Sequence, residues 1–180
     1  GENSTAIVSG DYHTCAILVS NQAKCWGYNG SGTLGLGDGA NRGDGTGEMG
    51  AALPTVSLGT GRTAMELAAD YGPTCARLDN GQIKCWGYNA NGQVGLGDTI
   101  FRGDMAGEMG DALPAVDLGT GRTALALSLA EVHSCALLDT GRVKCWGENL
   151  SGQLGVGDTV QRGDMAGEMG DALPAIDFGP

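Results

Sequence analysis

The chain has 180 residues, of which 21 are acidic and 10 are basic, so its formal net charge at neutral pH is -11. An acidic chain is poorly suited to nucleic acid, because Lys and Arg must replace the counterions of the phosphates. The charge also disfavours anionic membranes, and no apolar run approaches the roughly 20 residues that span a bilayer. We therefore expect neither a nucleic-acid partner nor membrane insertion.

A sequence unit one third as long as the chain occurs three times along it. Cys15, Cys75 and Cys135 stand at equivalent positions of the three copies, and the stretch 102–111 returns unchanged as 162–171. We predict three repeats, at residues 1–60, 61–120 and 121–180. Because one repeat unit rarely buries its apolar face alone, neighbouring repeats are expected to stack.

The cysteines form three equivalent pairs with nine residues between the two members of each. An even number at fixed spacing favours disulfides and an oxidising compartment, so we expect a secreted or cell-surface protein. Zinc and free buried thiols are the alternatives. Zinc is disfavoured because it needs four close ligands, and the middle repeat has Pro73 where the others have His13 and His133.

Each repeat is expected to begin with a strand, at Ala124–Leu129 in the third repeat, followed by a β-hairpin. The turn Asp139-Thr140-Gly141 fits a three-residue hairpin loop whose last residue is left-handed; in the first repeat that residue is Asn21. This register places the cysteines on adjacent strands, where a disulfide can form. The predicted bridges are Cys15–Cys25, Cys75–Cys85 and Cys135–Cys145.

A short edge strand is predicted to end each repeat, at Pro114–Leu118 in the second, because sheets tolerate Pro at the first position of an edge strand. The count is then about four short strands in each repeat. Between the hairpin and this last strand lies an acidic, glycine-rich segment, which runs from Thr99 to Leu113 in the second repeat.

The run W-G-x-N-x-x-G-x-L-G-x-G-D, from Trp146 to Asp158, recurs in all three repeats, with Val94 at the Leu position of the second. Together with the preceding cysteine hairpin it resembles the regulator of chromosome condensation repeat, in the disulfide-bearing form of bacterial secreted members. The resemblance implies an all-β fold of four-stranded propeller blades, usually seven in a ring. Three repeats would form an open array of such blades. No residue matches the nucleotide-exchange and chromatin-binding functions of the eukaryotic family member.

The acidic segments offer carboxylates on flexible loops, which is the chemistry that Ca²⁺ prefers. The alternative is that these carboxylates bind backbone amides and stabilise turns. The candidate calcium ligands are Asp104, Glu108, Asp111, Asp164, Glu168 and Asp171.

Two further patterns have structural alternatives. Asn3, Asn29 and Asn149 fit the glycosylation pattern, although Asn29 and Asn149 occupy a recurring turn position. Trp26, Trp86 and Trp146 could form a carbohydrate-binding row, but packing between repeats, with the indole N–H bonded to backbone, is the favoured interpretation.

No nucleophile, recurring histidine or nucleotide-binding motif is present, so we predict no catalytic residues and no enzymatic activity. The favoured function is an extracellular structural protein whose copies assemble head to tail into a filament or surface array. The alternative is a fragment of a secreted β-propeller that binds a protein or glycan ligand through its loops.

Overall fold

The computed structural model describes residues 1–179 and shows an all-β chain with one antiparallel three-stranded sheet in each repeat. The strands of each sheet lie side by side in chain order. They are β1 (Ser4–Ser9), β2 (His13–Leu18), β3 (Ala23–Gly27), β4 (Ala64–Ala69), β5 (Pro73–Leu78), β6 (Ile83–Gly87), β7 (Ala124–Leu129), β8 (His133–Leu138) and β9 (Val143–Gly147).

Helical structure within residues 1–179 consists of single 3-10 turns in the acidic segments, at Gly50–Ala52, Gly110–Ala112 and Gly170–Ala172. None of these elements has the length and apolar character that a membrane-spanning helix requires.

The predicted first strand and hairpin of each repeat are confirmed. β7 occupies Ala124–Leu129 as expected, and Cys135 faces Cys145 across β8 and β9. Asn21 closes the first hairpin loop with a φ of 59°, in the left-handed region that Gly81 and Gly141 occupy in the other repeats. Asn can adopt this conformation because its short polar side chain tolerates it better than most. The local turn chemistry thus sets the register of all three hairpins.

The prediction of four strands in each repeat is wrong, because Pro114–Leu118 forms no strand and each sheet has three. Proline lacks the N–H that a ladder needs, and only Val116 is bonded to β6, through Ile83 O at 2.8 Å. At the opposite end of β6, Arg102 forms an isolated bridge with Gly87. The acidic segment lies between these two contacts, so it replaces the middle of a fourth strand.

The three sheets pack successively, with β4 against β1 and β2, and β7 against β4 and β5. They form propeller-like blades that do not close into a ring. Each of two hydrophobic cores draws side chains from two neighbouring repeats, as in the contact of Leu34 and Ile17 with Trp86 and Leu113. The expectation that repeats stack is therefore confirmed for the described residues.

Tryptophans fix the contact between neighbouring blades. Trp86 and Trp146 are fully buried, and each donates its indole N–H to a backbone carbonyl of the preceding repeat. The acceptors are Thr33 O at 3.0 Å and Gln93 O at 2.9 Å. The favoured interpretation of these two tryptophans, packing between repeats, is confirmed.

Candidate ligand-binding site

One end of the first two blades carries a cavity of about 310 Å³ that we call the tyrosine pocket. It is formed by the loops that connect the first and second strands of the blades and by residues that follow their third strands. All four tyrosines of the chain contribute to it. Its lining residues are Tyr12, Tyr28, Ser31, Thr33, Tyr71, Gly72 and Tyr88.

Backbone hydrogen bonds bring the tyrosines of the pocket together. The amide of Tyr28, just after β3, donates to Tyr12 O in the β1–β2 loop at 2.9 Å, and the amide of Tyr88 donates to Gly72 O at 3.2 Å. Glycine at position 72 leaves room for Tyr88 where it now lies, since a Cβ there would be 2.7 Å from the Cβ of Tyr88. Folding of each blade therefore places its aromatic rings at the same end of the molecule.

Three of the tyrosine rings interact edge to face and remain open to solvent. The ring centroids of Tyr12 and Tyr71 are 5.6 Å apart, and those of Tyr12 and Tyr28 are 6.4 Å apart. Tyr12 is nevertheless 62% exposed and Tyr28 is 50% exposed. Monomeric proteins rarely leave several large aromatic side chains together in solvent unless the surface binds something.

The floor of the tyrosine pocket is held rigidly by the junction between repeats. Thr33 O accepts hydrogen bonds from the Trp86 indole and from Thr74 Oγ1, the latter at 2.9 Å. The Thr33 hydroxyl in turn donates to Tyr28 O at 2.7 Å. The rings therefore stand on a buried, fully bonded base, which favours a preformed binding site.

Carboxylates lie beside the tyrosines on the loops of the pocket and at the equivalent positions of the third repeat. Asp11 precedes Tyr12, and Asp70 accepts a hydrogen bond from the Tyr71 amide at 2.6 Å. Glu131 and Glu148 occupy, in the third repeat, the positions of Tyr71 and of Tyr28 and Tyr88. Within residues 1–179, none of these four carboxylates forms an ion pair with Lys or Arg. The loop face is thus aromatic at its centre and negatively charged around it.

The acidic segments, by contrast, use their carboxylates internally. Glu108 Oε2 accepts the amides of Gly103 at 2.9 Å and Met105 at 3.1 Å. Asp111 accepts the hydroxyl and amide of Thr60 in the preceding repeat, and these hydrogen bonds lower the pKa of the Asp111 carboxyl.

The third repeat shows the same pattern for Glu168 and Asp171. Glu168 accepts the amides of Gly163 and Met165, and Asp171 accepts the hydroxyl and amide of Thr120.

Calcium binding at these segments stays a prediction. Over residues 1–179, no three or more His, Cys, Asp or Glu side chains converge as a metal site would require. Neither Asp104 nor Asp164 joins such a group. The hydrogen bonds of the acidic segments favour the alternative in which the carboxylates stabilise turns and repeat junctions.

The recurring asparagines also have structural partners. Asn29 and Asn149 are fully buried, and their Nδ2 atoms donate to Asp38 O at 2.6 Å and Asp158 O at 2.9 Å. Since Nδ2 is the atom to which a glycan is attached, this arrangement favours the turn role over glycosylation at both positions. Asn3 is exposed, and its glycosylation stays a prediction.

Three disulfides are present, each within one hairpin, and every cysteine of the described chain takes part. The paired Cα atoms are 4.1 Å apart, the close approach expected at a non-hydrogen-bonded pair of antiparallel strands. The bridges are Cys15–Cys25, Cys75–Cys85 and Cys135–Cys145.

Sequence reasoning did not single out the tyrosines. The available signal lies in the departures from the repeat, since Tyr12 corresponds to Gly72 and Val132, and Tyr71 corresponds to Glu131. Positions that vary between otherwise similar repeats are candidates for function, because packing does not dictate them.

The comparisons with known proteins agree with this fold. Residues 5–33, 74–93 and 132–153 match the regulator of chromosome condensation (RCC1) repeat. The three matched ranges contain the disulfide hairpins and omit the acidic segments.

Two plant proteins illustrate the similarity among curated sequences. The mitochondrial RCC1 domain-containing protein RUG3 of Arabidopsis thaliana is 31% identical over 84% of this chain and 32% of its own length. The ultraviolet-B receptor UVR8 of the same plant is 28% identical over 90% of this chain and 33% of its own. The chain therefore spans about a third of these relatives.

Solved structures show the same architecture. Yeast RCC1 (Prp20), in its complex with Kap60, superimposes with a TM-score of 0.59 at 24% identity, over 84% of this chain and 33% of that one. Human WBSCR16 gives a TM-score of 0.53 at 13% identity, over 97% of this chain and 53% of its own. At these identities the similarity establishes the fold alone.

Proposed function

Since this chain belongs to the regulator of chromosome condensation (RCC1) repeat family, we propose that it is a non-enzymatic, ligand-binding part of an extracellular β-propeller. The tyrosine pocket is the observation that carries the proposal. It presents exposed aromatic rings on a rigid base, the combination that recurs at the energetic centres of protein interfaces. The ligand we propose is a protein segment.

Protein binding agrees with what is known of similar propellers. The yeast RCC1 protein Prp20 has been solved in complex with Kap60 and studied for its binding to Gsp1p and histones. Those partners belong to that protein, and the residues of the tyrosine pocket are a feature of this chain. The similarity supports the use of a propeller as a platform for a protein partner, which loops rather than the common fold select.

An extracellular location is supported by the three disulfides. Structural disulfides form and persist in oxidising compartments and are rare where glutathione keeps thiols reduced. All six cysteines are paired here, so we propose a protein of the secreted or cell-surface type.

Selection from a random linear-peptide library tests protein binding. Peptides should be enriched on the immobilised chain and lost from a Tyr12→Ala/Tyr71→Ala variant. They should be retained by a Leu150→Ala variant, which alters an exposed apolar side chain of the third repeat, outside the tyrosine pocket. The proposal would be overturned if the Tyr12→Ala/Tyr71→Ala variant enriched the same peptides as the wild type. It would also be overturned if oligosaccharides of a glycan array bound to the chain and peptides did not.

Head-to-tail assembly of copies, the favoured function from the sequence, is a second candidate. The observation that favours it is Trp26, which remains partly exposed although its counterparts Trp86 and Trp146 are fully buried by the preceding repeat. A repeat placed before the first one, from this chain or from another copy, would bury Trp26 in the same way. Sedimentation over a range of concentrations tests this: mass should rise with concentration for the wild type and less for Trp26→Ser. A constant monomer mass would remove self-assembly from consideration.

A further inference from the structure

We propose that the tyrosine pocket receives a cationic side chain, Arg or Lys, of its protein ligand. The inference rests on the proposed function and specifies the chemistry of its ligand. It draws on three observations: the open ring surfaces, the unpaired carboxylates around them, and the restriction of the tyrosines to one junction.

Tyrosine rings attract cations because the face of an aromatic ring carries a negative quadrupole. Tyr12, Tyr28 and Tyr71 surround a cavity of about 310 Å³, which is wide enough for a guanidinium or ammonium group on an extended stem. The edge-to-face contacts with Tyr71 and Tyr28 fix the orientation of Tyr12. A cation would therefore meet ring surfaces that need little rearrangement.

The charge around the pocket favours the same ligand. Asp11 is exposed beside Tyr12 and Asp70 lies in the loop of Tyr71, and neither is neutralised by an ion pair among residues 1–179. In contrast, Arg102 and Arg162 pair with Asp98 and Asp158 of their own loops. The negative potential of the loop face is thus left for a partner to neutralise, and it should steer a basic partner toward the pocket.

The pocket occurs at one of the two repeat junctions. At the junction of the second and third repeats, Gly72 and Tyr88 stand where Tyr12 and Tyr28 stand at the first junction, and Glu131 takes the place of Tyr71. The tryptophan that joins neighbouring repeats is bonded in the same way at both junctions, although only the first carries the tyrosines of the pocket. Stability of the junction therefore does not require tyrosine, which leaves ligand binding as the role of the rings.

A neutral sugar is the competing ligand, since tyrosine rings also stack on carbohydrate. A sugar gains nothing from the uncompensated charge of Asp11 and Asp70, whereas a cation is attracted by the rings and the carboxylates together. The observations therefore favour a basic protein segment, and a glycan becomes an outcome of the test.

The test uses tyrosine as its own reporter. Because all four tyrosines line the pocket, ring-labelled tyrosine gives nuclear magnetic resonance signals only from the site. The probes are Gly/Ser peptides that carry a single Arg, Lys, citrulline or Glu. Arg and Lys peptides should shift the ring signals, and citrulline, which has the shape of Arg without its charge, should bind about 10-fold more weakly. Added salt should weaken the binding of Arg and Lys peptides.

Matched variants separate the contribution of the tyrosine rings to ligand affinity from that of the carboxylates. Tyr12→Leu should lower the affinity for the Arg peptide, and Tyr12→Phe should restore most of it, because Phe keeps the aromatic face. Asp11→Asn/Asp70→Asn should weaken binding, whereas Asp117→Asn/Asp177→Asn, which removes two charges elsewhere, should change it little.

Each contrary outcome has a distinct meaning. Equal affinity for Arg and citrulline peptides would overturn the inference, as would ring shifts with maltotriose but none with the Arg peptide. If the peptide library instead yields tyrosine-dependent sequences without basic residues, the cationic ligand is excluded and the proposed protein binding stands. Failure of both experiments would reject the two proposals together.

Discussion

The imidazole of His13, in the first repeat, is buried with its Nε2 atom 2.8 Å from Thr74 Oγ1 of the second. Because the Thr74 hydroxyl donates its own proton to Thr33 O, His13 Nε2–H must be the donor to Thr74. Burial lowers the pKa of His13 from 6.5 to about 4, and the nearby Asp70 carboxylate only partly opposes this effect. A neutral histidine therefore joins two blades below the floor of the tyrosine pocket.

Acidification should destabilise this junction. Since the pKa of His13 is lower in the folded chain than in the unfolded chain, the unfolded state binds the proton more readily. The contribution of His13 to stability is complete above pH 6.5 and declines between pH 6.5 and about 4, by up to about 3 kcal/mol. Melting temperatures at pH 7 and 4.5 should differ less for His13→Gln than for the wild type. An equal difference in the two proteins would contradict this role for His13.

Trp86→Phe should destabilise the chain more than the same change at Trp26. The Trp86 indole is fully buried and donates to Thr33 O, so its loss should cost about 1–2 kcal/mol from the hydrogen bond and packing. Trp26 is partly exposed, and Trp26→Phe serves as the matched control. Guanidinium denaturation of both variants measures the difference, and similar midpoints would show that the junction bond contributes little.

Removal of one disulfide should leave a folded but weaker blade. In Cys135→Ser/Cys145→Ser, the loop that is released has a sequence separation of only 10. Short loops lose little chain entropy on closure, so the expected cost is about 3 kcal/mol or less. Thermal melting of this variant beside Cys75→Ser/Cys85→Ser provides the measurement. Complete unfolding of either variant at room temperature would mean that a bridge does more than restrict the unfolded chain.

Calcium chelation should leave the melting temperature unchanged, because amides and hydroxyls already occupy four of the six candidate carboxylates. Asp111→Ala should lower the melting temperature, since the Thr60 amide and hydroxyl then lose their acceptor. The control is Asp177→Ala, whose carboxylate accepts the Gly179 amide two residues along the chain. A fall in melting temperature on chelation, reversed by added Ca²⁺, would instead favour the calcium prediction.

The sequence predicts what depends on short-range chemistry. The hairpin register follows from the turn at Asn21, Gly81 and Gly141, and the register determines which cysteines meet. The sequence also predicts an edge strand at Pro114–Leu118, because sheets tolerate Pro at the first position of such a strand. Its pairing fails because the acidic segment before it leaves only Val116 bonded to the preceding strand.

The tyrosine pocket could not be predicted in the same way. Tyr12 and Tyr71 belong to different repeats and lie almost one full repeat apart in the chain, and their rings meet only because two blades stack at a particular angle. Nothing in the local pattern around either residue encodes that angle. A repeat alignment does show that tyrosine is replaced in the third repeat, which marks the positions without showing that they converge.

The confinement of each disulfide to one hairpin has a mechanical consequence. If the chain is pulled from its two ends, the load between blades is carried by hydrogen bonds and buried side chains such as Trp86 and Trp146, and these can separate and re-form. The covalent bridges lie within the blades. Each bridge keeps a segment of about 30 Å contour length from being stretched. Under tension the chain should therefore lengthen in blade-sized steps and recoil with its hairpin register intact.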